Sequence, residues 1–221
     1  MRIIRNIFLI AVFSVLAGSI ALAFIAEMNF LAADRLIKTY RWKEALGLYE
    51  TASSLDPLNT KYITAIGDFY LRRSAEKREQ MAQFFEKAEP FYTLAAELNP
   101  RCAEYTITLG RIQTGLFLED EKVYEDRLAP GLAYLIRSIR NDPNGYNTSF
   151  MAGYTVLPFW DSLSEDDRSV VEDKLRYVLE DRPWRGSDYI YPAIWKYTQD
   201  FDLIERVRPD KIGRASCRER V

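Results

Sequence analysis

Acidic side chains gather in three short clusters, which are the first candidates for chemistry in this sequence of 221 residues. The clusters are Glu119, Asp120 and Glu121, then Glu125 and Asp126, then Glu165, Asp166 and Asp167. Paired carboxylates can hydrolyse a glycosidic bond or bind a hard cation such as Ca²⁺. Nothing in their spacing fixes two carboxylates at a defined separation, and the calcium-loop pattern DxDxDG is absent. We interpret all three clusters as solvated helix ends or loops.

The sequence contains no histidine, which excludes several large classes of site. A Ser-His-Asp or Cys-His catalytic arrangement, a His-ligated zinc and a histidine pH switch all need that residue. The two cysteines, Cys102 and Cys217, are too far apart in sequence for a CxxC site. A net charge of -2 offers no electrostatic basis for binding nucleic acid. We predict a protein that is not an enzyme and that binds no cofactor and no metal.

Aromatic residues make up 14% of the chain, and many of them lie in its last third. Tyr and Trp can stack on sugars or anchor a peptide, and they can equally fill a helical core. For a glycan site, Trp160, Trp184 and Trp195 would have to be exposed together in one groove. Both interpretations stay open at the level of the sequence.

The elements that position these residues begin with an apolar N-terminal segment. Residues 7–26 contain no charge, and as a helix they would span about 30 Å, the thickness of a bilayer core. Arg2 and Arg5 precede the segment and Glu27 follows it. By the positive-inside rule the N-terminus then stays in the cytoplasm. The segment predicts a single pass through the inner (cytoplasmic) membrane, with the bulk of the chain periplasmic or otherwise extracytoplasmic.

Two other interpretations of this segment compete with an uncleaved signal anchor. Ala21-Leu22-Ala23 could be the cleavage site of a signal peptide, which would release the protein to the periplasm. A buried helix of a soluble core passes the same test of composition. We favour the anchor because apolar residues continue through Ile25 and Ala26.

The last ten residues differ in character from the rest of the chain. Residues 212–221 read IGRASCRERV, and one back-translation of them looks like a common sequencing adapter. We expect this tail to be non-native and the gene to continue past Lys211. The predicted organisation is therefore an anchor at residues 1–27, a helical domain at 28–211 and a non-native tail at 212–221.

An internal repeat of 43 residues occupies the middle of the chain. Three prolines keep this spacing, each after an acidic or amide residue, and three glycines repeat in step: Pro57, Pro100, Pro143, Gly67, Gly110 and Gly153. Small, aromatic and small residues stand at identical offsets before the first two prolines: Ala45, Tyr49, Ala52, and Ala88, Tyr92, Ala95. These spacings of four and three residues place each set on one helical face. The proline then ends that helix.

The pattern resembles the tetratricopeptide repeat (TPR) family. Ala45, Tyr49, Ala52 and Pro57 match the second helix of that repeat, and the first helix is matched by Ile63, Ile66, Gly67 and Tyr70. The likeness covers about residues 28–183, strong for two units and weaker afterwards. The later units exceed the usual 34 residues by nine, with polar additions such as SAEKREQMAQ. We expect extended helix ends or long loops there. The resemblance implies an all-α solenoid of helical hairpins after one transmembrane helix.

The resemblance also implies that the protein binds another protein. The first helices of stacked hairpins line a concave face. Six residues that the packing pattern does not use are the predicted contacts: Lys61, Tyr62, Asp68, Tyr105, Thr106 and Arg111. We predict a membrane-anchored scaffold for a protein partner on the extracytoplasmic side. The alternative is an accessory protein in surface polysaccharide synthesis or export that contacts glycan through Trp160, Trp184 and Trp195.

Overall fold

All regular structure in the described part of the chain is helical. The computed structural model describes residues 2–182, 184 and 186–209. Its α-helices are α1 (Arg2–Lys38), α2 (Trp42–Leu55), α3 (Thr60–Glu76), α4 (Met81–Leu98), α5 (Ala103–Glu119), α6 (Leu128–Asn141), α7 (Tyr146–Val156), α8 (Glu165–Asp181), α9 (Tyr191–Thr198) and α10 (Phe201–Val207). This confirms the all-α fold class. The predicted tail at 212–221, with Cys217, lies outside the described residues.

The helices form two compact units, unit 1 (Met1–Asn99) and unit 2 (Pro100–Val221). Unit 1 consists of the hairpins α1/α2 and α3/α4. On α2, the predicted face of Ala45, Tyr49 and Ala52 is buried against its neighbours, as the spacing predicts. The small side chains let the helix backbones approach closely while the tyrosine fills the space beside them.

Unit 2 consists of the hairpins α5/α6 and α7/α8, followed by α9 and α10. One continuous apolar cluster joins these helices, and its largest fully buried side chains include Leu135, Leu157, Leu175 and Ile194. Ser164 followed by Asp167 predicts a cap at the start of α8, and the cap is present, since Ser164 Oγ accepts a hydrogen bond from the backbone N–H of Asp167 at 3.2 Å. This satisfies one of the unpaired donors at the helix start.

The helices before the three repeated prolines end in the same backbone conformation. The residues at their ends are Asp56, Asn99 and Asp142, with φ of -140°, -137° and -131° and ψ of 75°, 77° and 69°. Proline disfavours the helical region for the residue before it, so the chain leaves the helix at that point. The repeat therefore sets both the period of the hairpins and the way each one ends.

The nine additional residues of the second hairpin lengthen its helices instead of forming a long loop. Helix α3 continues to Glu76, a short 3₁₀ turn follows at Arg78–Gln80, and α4 starts at Met81. Of the two expected alternatives, extended helix ends or long loops, the second hairpin has the first. In the third hairpin, turns and a 3₁₀ segment at Glu125–Arg127 occupy the corresponding region.

Helix α1 continues from the apolar segment into the first hairpin without a break. It contains a stretch long and apolar enough to cross a membrane, almost none of which is covered by the rest of the chain. A core helix of a soluble protein would be covered on most sides. The helix is also continuous across residues 27 and 28, where the sequence suggested a boundary between anchor and domain.

The last predicted helix is divided in the structure. The sequence from Tyr189 to Arg206 predicts one helix, but α9 ends at Thr198 and α10 starts at Phe201. Gln199 adopts the left-handed conformation with φ of 52°, which ends α9. Asp200 then caps α10 by accepting a hydrogen bond from the N–H of Leu203 at 2.9 Å. The single-helix prediction is wrong because this local cap competes with the apolar period.

Candidate functional site

A cavity of about 230 Å³ in unit 1 lies between the first helices of the two hairpins. We call it the α1–α3 groove. Its lining residues are Phe30, Asp34 and Ile37 of α1, Tyr49 of α2, and Lys61, Thr64, Ala65, Asp68, Phe69 and Arg72 of α3. The first helices of the hairpins thus provide nearly all of its surface, as the sequence predicts for a binding face. Apolar rings and charges of both signs border the same space.

Two acidic residues at the groove are held by tyrosines from the second helix of each hairpin. Tyr49 Oη donates a hydrogen bond to Asp34 Oδ1 at 2.5 Å, and Tyr92 Oη donates one to Asp68 Oδ1. Burial, followed by the hydrogen bond to Asp34, raises the pKa of Tyr49 above its ordinary value. The phenol therefore remains a donor across the physiological pH range and fixes the carboxylate beside it.

Arg72 gives the groove an exposed cation. Its guanidinium forms no hydrogen bond or ion pair within the described part of the chain. It lies close enough to Tyr49 to oppose the rise in that residue's pKa. A guanidinium has five N–H donors and binds a carboxylate or a carbonyl group well. Arg72 is therefore the group at this groove most ready to bind an acceptor from outside.

Lys61 lies at one end of the groove and is already paired. Its Nζ donates to both carboxylate oxygens of Glu27, at 2.7 and 2.8 Å, and it sits 4.3 Å from the centre of the Phe30 ring. Tyr62 Oη donates to the same carboxylate at 2.9 Å. Burial, then the hydrogen bond to Glu27, raises the pKa of Tyr62 to about 12. These contacts fasten α3 to α1 just after the apolar segment ends.

The Glu27 contacts stabilise unit 1, and we expect this contribution to the free energy of unfolding to be lost in acid. The hydrogen bond from Lys61, followed by that from Tyr62, lowers the pKa of Glu27 below its ordinary value. A lowered pKa gives stability that is present above the unfolded-state pKa and lost as pH falls through the folded-state value. Thermal unfolding of Glu27→Gln and wild type in detergent should differ at pH 6, and the difference should begin to shrink as the pH falls below about 4, the ordinary range of a glutamate.

A matched control for this measurement is Glu97→Gln. Glu97 is exposed on α4 and makes no side-chain hydrogen bond or ion pair within the described residues. Its melting curve should follow wild type at every pH. A difference between Glu27→Gln and wild type that stays constant from pH 6 to pH 3 would contradict the assignment to this carboxylate.

The six predicted contact residues fall into two groups. Lys61 and Asp68 line the α1–α3 groove, whereas Tyr62 is buried beside it. The others lie on α5 in unit 2: Tyr105 half-buried, Thr106 buried and Arg111 exposed. Thr106 donates its hydroxyl to the carbonyl of Ala103 at 3.0 Å. Tyr62 and Thr106 therefore serve the packing of their own units, and neither presents its side chain to solvent.

The three predicted glycan-binding tryptophans are not exposed together. Trp160 is buried in the core of unit 2, with 6% of its surface exposed. Trp184 packs against Tyr189, and Trp195 packs against Phe201 with ring centroids 4.5 Å apart. Trp184 and Trp195 are each about half exposed. The groove that all three would have to share is not formed, because Trp160 is part of the core.

The acidic clusters lie at helix ends. Glu119 ends α5, and Asp120 Oδ1 caps the following turn by accepting from the N–H of Lys122 at 3.0 Å. Glu165, Asp166 and Asp167 form the first turn of α8, where the helix dipole favours negative charge. No group of three or more His, Cys, Asp or Glu residues is placed to hold a metal within the described ranges.

Seven residues of the groove were not predicted from the sequence: Phe30, Asp34, Ile37, Thr64, Ala65, Phe69 and Arg72. A signal for Asp34 is present in the internal repeat. An aspartate directly follows Ala33 and Gly67 in the two hairpins that have the tyrosine, and it is replaced by Arg111 in the third, where leucine replaces tyrosine. The acid and the tyrosine are lost together because each is the other's hydrogen-bond partner.

Comparison with known proteins finds likeness among solved structures alone. No protein-family model matches the chain, and no curated protein matches it. A solved structure, described as YrrB, "a TPR protein with an unusual peptide-binding site", is similar over 83% of this chain and 86% of that one. The two are 18% identical, with a TM-score of 0.48.

Proposed function

We propose that the protein is a membrane-anchored scaffold, not an enzyme, and that it binds a segment of a protein partner in the α1–α3 groove. The observation on which this rests is the pairing of apolar rings with an unengaged arginine in one cavity. Phe30, which is partly exposed, offers contact area for an apolar side chain, and Arg72 offers donors for a carboxylate or a backbone carbonyl.

The size of the groove favours a peptide over an enclosed small molecule. Its volume of about 230 Å³ is below the range of about 300–1,000 Å³ usual for small-molecule pockets. A cavity of this size accepts one or two side chains of a longer chain that continues outside it. The fixed carboxylates of Asp34 and Asp68 would then pair with N–H groups or a cation of that chain.

Two features support a membrane location on the extracytoplasmic side. The apolar stretch of α1 is uncovered by the rest of the chain, and Arg2 and Arg5 precede it. Under this proposal Asp34 stands eight residues beyond Ala26 on a continuous helix, about 12 Å from the end of the apolar segment. A partner reaching the groove would be close to the membrane surface.

Photo-cross-linking in cells tests the groove. A photoreactive amino acid at Thr64, which lines the groove, should give a defined cross-linked product with a partner. Arg72→Glu should lower the yield about tenfold, since a hydrogen bond to a charged group contributes about 1.5–3 kcal/mol. The yield is measured by immunoblot of the tagged chain, and the partner is identified by mass spectrometry.

The control position for cross-linking is Gly47. It is exposed on α2, and no neighbouring atom lies within 4 Å of a Cβ built there. The same probe at Gly47 should give no product of that mass. Equal products from the two positions, or a yield at Thr64 that Arg72→Glu leaves unchanged, would refute the proposed site.

A further inference from the structure

The second helix of the first hairpin, α2, packs against the end of the apolar segment of α1. Helix α2 is antiparallel to α1, and the fully buried Ala26, the last residue of the apolar segment, packs with Ala52 and Tyr62. Leu55, at the end of α2, also packs against this cluster. The C-terminal end of α2 thus lies at the level where the apolar segment of α1 ends.

The helix rise gives the position of the turn that follows. Leu55 lies three residues beyond Ala52, which is about 4.5 Å further toward the N-terminal end of α1. The turn between α2 and α3, residues 56–59, therefore stands at or beyond the end of the apolar segment. Leu58 in this turn is 75% exposed, so a large apolar side chain is available at the level where the apolar segment ends.

The polar groups around this turn suit the headgroup layer of a bilayer. Glu27 is neutralised by Lys61, which keeps its aliphatic stem beside Phe30. Tyr62 places an aromatic body at the same level with its hydroxyl on Glu27. Tyrosine and lysine are both favoured at membrane interfaces because one end of each is apolar and the other polar.

We propose that the α2–α3 turn is a second membrane contact, with Leu58 inserted at the boundary between headgroups and acyl chains. The inference rests on the proposed anchor, since the apolar segment supplies the membrane. The partner of Leu58 is the lipid surface, because the turn is level with the end of the apolar segment, which spans the bilayer under the proposed anchor. Two contacts on one unit, α1 and the turn, hold its first hairpin at a fixed angle to the membrane.

The opposite turn of the same hairpin provides the matched control. Tyr40 lies between α1 and α2 and is also 75% exposed. Lys38, just before it, is twelve residues beyond Ala26, or about 18 Å along the helix. The headgroup layer is only about 5–8 Å thick on each side. Tyr40 should therefore be in water.

Depth-dependent fluorescence quenching tests the contact in the full chain reconstituted in phosphatidylcholine vesicles. With Cys102 and Cys217 replaced by serine, the fluorophore NBD is attached to Leu58→Cys, Tyr40→Cys or Ile20→Cys in turn. A shallow nitroxide on the lipid should quench NBD at position 58 about threefold more than at 40, as expected for a group buried 5–10 Å into the interface. Aqueous iodide should quench position 40 preferentially.

The Ile20 position separates this inference from the anchor. Ile20 lies within the apolar segment and is exposed in the isolated chain. If lipid nitroxides quench position 20 while iodide quenches 58 and 40 alike, the turn is not a membrane contact and the anchor stands. If iodide reaches position 20 as well, the anchor itself is refuted. Protection of position 58 from both quenchers would mean that a protein, such as a second copy, covers Leu58, and this would also overturn the inference.

Discussion

Trp160→Ala should lower the free energy of unfolding of unit 2 by about 3–5 kcal/mol, the range for removing a buried tryptophan. The ring is almost completely buried in the cluster that joins α6, α7, α8 and α9. Removing it leaves a cavity that the surrounding helices can close only in part. The expected result is a lower urea midpoint, followed by far-UV circular dichroism in detergent.

Trp195→Ala is the matched comparison for that measurement. Trp195 is 48% exposed, and its ring contact is with the exposed Phe201. Its removal should cost about 1 kcal/mol or less, the contribution of an exposed aromatic pair. If the two variants unfold at the same urea concentration, Trp160 is not a core residue. The polysaccharide hypothesis, with three tryptophans in one groove, would then regain its main support.

The 43-residue repeat could be predicted from the sequence because the residues that mark it have strong local effects on the backbone. Asp56, Asn99 and Asp142 leave the helical region for the same steric reason, the proline that follows each of them. The spacing of small and aromatic residues before the prolines then fixes which face of α2 and α4 is buried. Local chemistry and tertiary packing agree at these positions, so each predicts the other.

Burial at the first helices was harder to predict because it depends on a distant segment. Tyr62 is buried because α1 continues past the apolar segment and places Ala26 and Phe30 against it. Composition identifies the apolar segment but does not show where its helix ends. No glycine or proline lies between Ala26 and Lys38. This is the only sequence signal that the apolar segment and the first helix of the first hairpin form one continuous helix.

The burial of individual tryptophans was also hard to predict from the sequence. Trp160 and Trp195 have the same side-chain chemistry, yet one is in the core and the other half exposed. Periodicity is weak where they lie, in a 3₁₀ segment and a helix of eight residues. Burial there follows from the packing of the whole unit, so single-sequence patterns cannot assign it.

Gly110→Val should lower the free energy of unfolding of unit 2 by about 1–3 kcal/mol, the usual cost of overpacking. A Cβ built on Gly110 would lie 2.5 Å from Leu135 Cγ and 3.0 Å from the carbonyl oxygen of Gly131. The first contact is with the base of a buried side chain and the second with backbone, so neither can move away easily. The urea midpoint of the variant gives the measurement.

The opposite sign is expected at Gly47, where no atom lies within 4 Å of a built Cβ. Gly47→Ala should raise stability by up to about 1 kcal/mol, because alanine loses less backbone entropy than glycine within a helix. Glycine at 110 and glycine at 47 thus differ in their environment and not in helix propensity. Destabilisation of similar size at both positions would point to a general intolerance of substitution instead of a close helix crossing.

A double-mutant cycle tests whether the contact with Leu135 is the cause. Leu135→Ala alone should cost about 2–5 kcal/mol because the side chain is fully buried. In the variant that also has Gly110→Ala, the added methyl group enters the space that the leucine has left. The combined loss should therefore fall short of the sum by about 0.5–3 kcal/mol, as for other residues in contact. Simple additivity would show that Gly110 is required by the backbone of Gly131 and not by the leucine that faces it.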